Sequence, residues 1–440
     1  MDADLSENDA ASSGARGGIS WPVLIAGGLA AFGAYFAMYA FRKPFAAATY
    51  EHVAGWDFAL DYKTALLIAQ VFGYAASKFI GIRVIAEFGR QGRALAILGL
   101  IGASWLALIL FALLPPPWTI LCLFLNGLPL GMIWGLVFSY VEGRRTSELL
   151  GSMLCASFIL SSGVVKSVAV MLMQAGVAER WMPAATGLVF VPLLLVSLWI
   201  LERLPPPDSR DIAERTERVP MHRADRAAFL RGHGTALALL VAGYILLTAI
   251  RDFRDSFAAE IWRALGFGGV ASVFSASELP VAAISLAGLG ALMLVRDNRR
   301  ALLAMHALVV AGAALLGLAT LAFQSGWLSP LAWMILTGAG LYLAYTPFNA
   351  MLFDRMVAAI GRAGNAGFLI YIADASGYAG SVALLLYRSL AQPKMDWLRF
   401  YIDCAYTAAA AVALFTIASA IHFARSRPAT PSPTREAAHG

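Results

Sequence analysis

Apolar residues run through this chain in blocks as long as a bilayer is thick, and polar residues are confined to the breaks between them. Twelve blocks can be marked, at 20–48, 62–85, 93–114, 117–141, 148–176, 181–204, 235–259, 267–295, 300–323, 327–353, 363–388 and 398–424. A helix needs about 20 apolar residues to cross the hydrocarbon core, and every block reaches that length. The pattern therefore predicts an all-α membrane protein with twelve transmembrane helices. One long charged break separates the sixth block from the seventh. The expected organisation is a polar cytoplasmic N-terminus at 1–19, a six-helix bundle at 20–204 and a cytoplasmic linker at 205–234. A second six-helix bundle follows at 235–424, then a tail at 425–440. Three prolines stiffen the start of the linker, and the polar ends are expected to be disordered.

Composition agrees with this pattern. Of 440 residues 60% are hydrophobic and only 14% charged, where a soluble domain carries about 25% charged residues. The net charge of +6 is placed unevenly. Arg83, Arg90 and Arg93, Arg144 and Arg145, Arg296, Arg299 and Arg300, and Arg355 and Arg362 all follow even-numbered blocks. The opposite breaks, such as Pro115 to Trp118 and Gln324 to Trp327, are nearly bare. The positive-inside rule then puts the even loops and both termini in the cytoplasm of a cell with this chain in its inner membrane. Anionic headgroups of the lipid bilayer account for the basic balance, so no nucleic-acid partner is expected. Cys122, Cys155 and Cys404 lie inside apolar blocks at spacings that fit neither a disulfide frame nor a zinc site. The N-terminal segment lacks the basic region of a cleaved signal, so the first block is expected to be retained. No P-loop, nucleophile elbow or metal-ligand cluster is seen, which argues against an ATP-driven pump or an enzyme. No cofactor or metal is expected.

The two halves repeat each other. Phe41-Arg42-x-x-Phe45-Ala46-Ala47 recurs as Phe253-Arg254-x-x-Phe257-Ala258-Ala259, 212 positions later. Arg93-Ala94-Leu95 recurs as Arg300-Ala301-Leu302, at an offset of 207. Ser162-Gly163, Ser167-Val168-Ala169 and Leu172 recur as Ser376-Gly377, Ser381-Val382-Ala383 and Leu386, at an offset of 214. A parallel duplication of six helices places a binding site near the midplane, with one half rocking against the other.

On these features the chain resembles a major facilitator superfamily transporter. Tyr39-x-x-Arg42-Lys43-x-Phe45, Gly73-Tyr74-x-x-Ser77-Lys78-Phe79-Ile80 and Asn126-Gly127-x-x-x-Gly131-Met132-x-Trp134 are similar to words of its organophosphate:phosphate antiporter branch. The chain also resembles an uncharacterised bacterial family of facilitator-like membrane proteins. It departs from the superfamily in the loop Glu87-Phe88-Gly89-Arg90-Gln91-Gly92-Arg93, which lacks the usual aspartate. The resemblance implies that an arginine on helix one and another on helix seven grip a phosphoryl group. Arg42 and Arg254 match those positions. It also implies that helix two lies by helix eleven, and helix five by helix eight.

Charges inside membrane helices cost at least about 2.5–3.5 kcal/mol each on insertion scales, so each needs a partner or a task. Arg42 shares a helix face with Tyr35 and Tyr39, and a guanidinium among phenols is a good seat for phosphate or carboxylate. Arg42 and Lys43 placed near the outer interface would instead snorkel to headgroups. In helix seven, Arg251 and Asp255 have the i,i+4 spacing of a local pair, which leaves Arg254 with no obvious same-helix partner; the alternative is a structural network of all four charges at the helix end. Across the halves, Lys78 is expected to pair with Asp374, and Lys166 with Glu278; either lysine could instead meet the cargo. Trp134, Tyr140, Tyr342, Tyr345 and Asn349 are candidate cavity walls. The expected substrate-binding set is thus Arg42, Arg254, Tyr39, Tyr35, Lys78, Lys43 and Trp134. The expected gating or coupling set is Lys166, Asp374, Glu278, Arg251 and Asp255. The function expected is secondary transport of a small anionic solute by a monomer. The rivals are proton-coupled transport of another solute, and a non-transporting sensor whose linker docks a partner.

Overall fold

The computed structural model describes residues 21–51, 53–87, 92–141, 147–205, 223–360, 367–392 and 395–425. The polar N-terminus, the tail beyond Arg425, most of the linker and the departing loop word at 88–91 lie outside the described residues. So does the side chain of Cys155; Cys122 is a free buried thiol and Cys404 a free, partly buried one.

With no water to satisfy peptide groups in lipid, apolar blocks of this kind must close their hydrogen bonds internally as helices. In the first half these are α1 (Trp21–Tyr39), α2 (Tyr62–Glu87), α3 (Arg93–Leu113), α4 (Trp118–Val141), α5 (Ser147–Gln174), α6 (Met182–Val189) and α7 (Val191–Glu202). In the second half they are α8 (Arg223–Ser256), α9 (Ala258–Ala264), α10 (Ser272–Met293), α11 (Asn298–Gln324) and α12 (Pro330–Ala350). Next come α13 (Leu352–Ala359), α14 (Gly367–Leu386) and α15 (Trp397–Arg425). Eight helices are long and apolar enough to span alone, and α6 with α7, bent by 41°, makes a ninth. The spans of α1, α2 and α14 complete twelve, in two six-span bundles.

Within the first half α2 packs on α4, and α1 on α5 and α7. In the second half α11 packs on α12 and α15, and α8 on α14 and α15. The halves meet where α5 lies on α10 and α2 on α14, the helix pairing that the resemblance implied. One boundary differs from expectation: α8 begins at Arg223, so the latter part of the supposed linker is already helix.

The repeated word marks a break in both halves. After α1 ends at Tyr39 the chain turns and forms a short 3-10 segment, Pro44–Ala47. In the second copy α8 ends at Ser256 and α9 starts at Ala258. Sequence pattern alone reads both as unbroken spans, because apolar composition does not register a local change of helix axis.

Candidate functional site

A broken helix in a membrane leaves carbonyls without their i+4 donors, and they need side-chain partners. Gln70 of α2 donates from Nε2 to the Arg42 carbonyl at 3.0 Å and to Asn126 Oδ1 at 2.7 Å. Asn126 of α4 donates from Nδ2 to the Phe41 carbonyl at 3.0 Å and to Ser104 Oγ at 2.6 Å. This network is buried, and it fixes the turn that carries Arg42. Gln70 and Asn126 can reach the turn because α2 and α4 run unusually close. A Cβ at Gly73 would sit 2.1 Å from the Phe124 carbonyl oxygen, and one at Gly127 would sit 2.3 Å from that of Gln70. The glycine words that carried the resemblance thus build the support of the site rather than its lining.

From that turn the Arg42 guanidinium lies over Tyr74, its Cζ 3.8 Å from the ring centre, with the Tyr39 ring at 5.8 Å. Tyr35 meets Tyr39 edge-on at 5.5 Å, and Tyr74 meets Tyr378 of the second half at 6.0 Å. Tyr74 is twelve residues into α2, about 18 Å from its start. Arg42 therefore points to the middle of α2. Its Nε is buried with no hydrogen-bond partner, and no ion pair to it is found among the described residues.

Every other expected cation has a carboxylate. Lys78 Nζ lies 2.6 Å from Asp374 Oδ2, the expected pairing, and Tyr244 donates to Asp374 Oδ1 at 2.8 Å. Lys166 does not pair with Glu278: its Nζ lies 2.5 Å from Asp255 Oδ1. Lys43 bonds the other oxygen of Asp255, and Ser162 donates to Oδ1. Glu278 is taken by Arg254, Nη1 to Oε1 at 2.7 Å, while Nη2 donates to the Met334 carbonyl at 2.9 Å.

Besides the Lys166 pairing, the same contacts change the picture of span seven. Arg254 has no partner on its own helix but is engaged by Glu278 of another; it is 3% exposed and held inside the second half, where Gly338 makes room for its Nη2. Arg251 does not pair with Asp255 at i+4 but with its neighbour Asp252, at 2.6 Å. Asp255 faces away, toward the two lysines of the first half. Trp134 does not join the cluster; it is 41% exposed and stacks on Phe138 at 4.9 Å.

The Arg251 guanidinium lies over Tyr345, 4.0 Å from the ring centre, which mirrors Arg42 over Tyr74. Tyr345 stacks on Tyr244 at 5.3 Å, and the Asn349 Nδ2 beside Tyr244 is buried without a partner. Sequence reading also missed Lys63 and Glu260. Lys63 Nζ reaches Glu260 Oε1 at 2.6 Å and the Ala46 carbonyl at 2.9 Å, closing the halves near the start of α2. Both residues sit at the edge of an apolar block, where a charge reads as interfacial.

The fold is that of the major facilitator proteins. A D-xylose–proton symporter has a TM-score of 0.61 at 13% identity, over 92% of this chain and 97% of its own. The nucleoside transporter NupG has 0.59 at 12%, over 92% and 100%. A structure of a proton-dependent oligopeptide transporter has 0.59 at 13%, over 91% and 98%. No curated protein matches the sequence. Residues 44–426 match a family of unknown function (DUF5690), and the chain belongs to that family.

Proposed function

We propose that this protein is a secondary transporter that works by alternating access and carries a small anionic solute, such as phosphate or an organophosphate. One observation carries the reading: Arg42 is half-buried with its Nε fully enclosed, its turn is fixed by Gln70 and Asn126, and it has no carboxylate partner among the described residues. A half-buried guanidinium whose carbonyl neighbours are satisfied and whose own charge is not is a seat for a bidentate anion. The aromatic faces of Tyr74 and Tyr39 hold it without neutralising it. On the second half Arg251, rather than Arg254, stands opposite. It is the less buried of the two, and it rests on an aromatic face as Arg42 does. Closure of the far end rests on Lys43, Lys166 and Lys63 with Asp255 and Glu260. Closure of the other end rests on Lys78 with Asp374. The protein works as a monomer in the inner membrane, with both termini cytoplasmic.

The test is flux into proteoliposomes. Phosphate-loaded vesicles should take up external labelled phosphate or organophosphate by counterflow, and Arg42→Ala should abolish this at normal expression. Uptake driven by a pH gradient without phosphate counterflow would instead favour a proton-coupled carrier. Ligand binding with no flux would favour a sensor.

A further inference from the structure

Charge balance at the seam says more about the cargo. Three acids are matched one to one: Asp374 with Lys78, Asp252 with Arg251, and Glu278 with Arg254. The fourth is not. Asp255 is bonded by both Lys43 and Lys166, and its carbonyl oxygen also accepts from Lys166. Arg42 has no acid. Among these named side chains two positive charges therefore stand uncompensated, and a low-dielectric interior strongly disfavours such charge.

The location of Asp255 sharpens this. Lys43 and Lys166 belong to the first half and Asp255 to the second, near the end of α8. Lys166 is 3% exposed along its side chain, and Lys43 is within electrostatic reach of Arg42 as well as of Asp255. When the halves part at this end, Asp255 leaves with α8, and the first half keeps two bare ammonium groups close to Arg42. Ser162 Oγ, which now donates to Asp255, is released as a donor at the same moment.

We infer that the cargo is a dianion, and that it takes the place of the Asp255 carboxylate between Lys43 and Lys166 while Arg42 holds its other end. This rests on the anion-carrier reading above and adds the charge state. With Asp255 still counted among the acids of the seam, a dianion brings the six named cations and four named acids to neutrality. A monoanion leaves one buried cation unmatched. Asp255 is then an internal counter-ion that closes the far end when no cargo is bound and yields when cargo enters.

The experiment compares matched probes of different charge on the full-length protein, in chloride-free buffer at pH 8.5. Methyl phosphate is set against dimethyl phosphate, and succinate against succinamate; binding is read by calorimetry and thermal shift. The dianion of at least one pair should bind ten times or more tighter than its monoanion. Lys166→Gln should erase that preference, as should Lys43→Gln, which removes a less buried charge should the first variant fail to fold. Monoanions that bind as tightly as dianions to the unaltered protein would overturn the charge assignment and leave the anion reading standing. Binding of none of the four probes would count against the anion reading itself.

Discussion

Lys63 of α2 and Glu260 of α9 form an ion pair across the two halves, Nζ to Oε1 at 2.6 Å, with the lysine 1% exposed. The same Nζ donates to the Ala46 carbonyl, in the 3-10 segment of the first repeat. One ammonium thus joins the broken stretches of both repeats. Removing one partner of a buried pair typically costs about 3–5 kcal/mol, because the other charge is stranded. Lys63→Met should therefore lower the thermal midpoint and increase labelling of cysteines placed near Tyr62. The double variant Lys63→Met with Glu260→Leu should recover most of the midpoint while the gate stays loose. A single variant as stable as the double would show that the pair does not hold the ends together.

Arg42 gives the most direct functional prediction. Hydrogen bonds to a charged group are worth about 1.5–3 kcal/mol, so Arg42→Ala should weaken anion binding by roughly ten- to a hundredfold. Arg42→Lys should restore little of it, since an ammonium cannot reproduce the planar fork. Isothermal titration with methyl phosphate reads both, and full affinity in the lysine variant would remove the bidentate role.

Lys78 and Asp374 lie on α2 and α14, where the halves touch. Either residue changed alone to alanine should slow transport, through an unpaired charge at the closing seam. The exchange Lys78→Asp with Asp374→Lys should recover part of the flux, because the pair can re-form in the opposite sense. Tyr244→Phe should have a smaller effect of the same kind, since it removes only the bond to Asp374 Oδ1. A charge exchange no better than the single variants would argue that Lys78 acts on cargo rather than on closure.

The close crossing of α2 and α4 makes a prediction about support rather than chemistry. Gly73→Ala places a methyl 2.1 Å from a backbone oxygen, so the helices must separate. Overpacking of this kind costs about 1–3 kcal/mol. The variant should melt at lower temperature and also bind anion more weakly, because Tyr74 and Gln70 move with α2. Unchanged binding would mean that Arg42 does not depend on that crossing.

Much of the architecture was legible because the bilayer makes composition informative. Twelve apolar blocks and the repeated Phe-Arg word survive in the structure as two six-span bundles with a break in each copy of the word. The helix contacts α2 to α14 and α5 to α10, and the Lys78–Asp374 pair, were also anticipated. The exchange of partners in span seven was not. Local spacing suggests Arg251 with Asp255, yet a carboxylate bonds whatever cation the packing brings nearest, and two lysines from the other half come nearer. Arg254 showed no same-helix partner for the same reason: Glu278 lies 24 positions away on another helix, out of reach of any i,i+4 rule.

The sequence by itself determined that the chain crosses the membrane, that it is doubled, and which side chains carry charge into it. Those properties follow from hydropathy and identity, which are additive along the chain. Only the tertiary structure decided which charges cancel and which remain, because ion pairing falls off with distance in space and is blind to order in sequence. That is how Arg42 came to stand unmatched above Tyr74, while its repeat partner Arg254 was neutralised by Glu278.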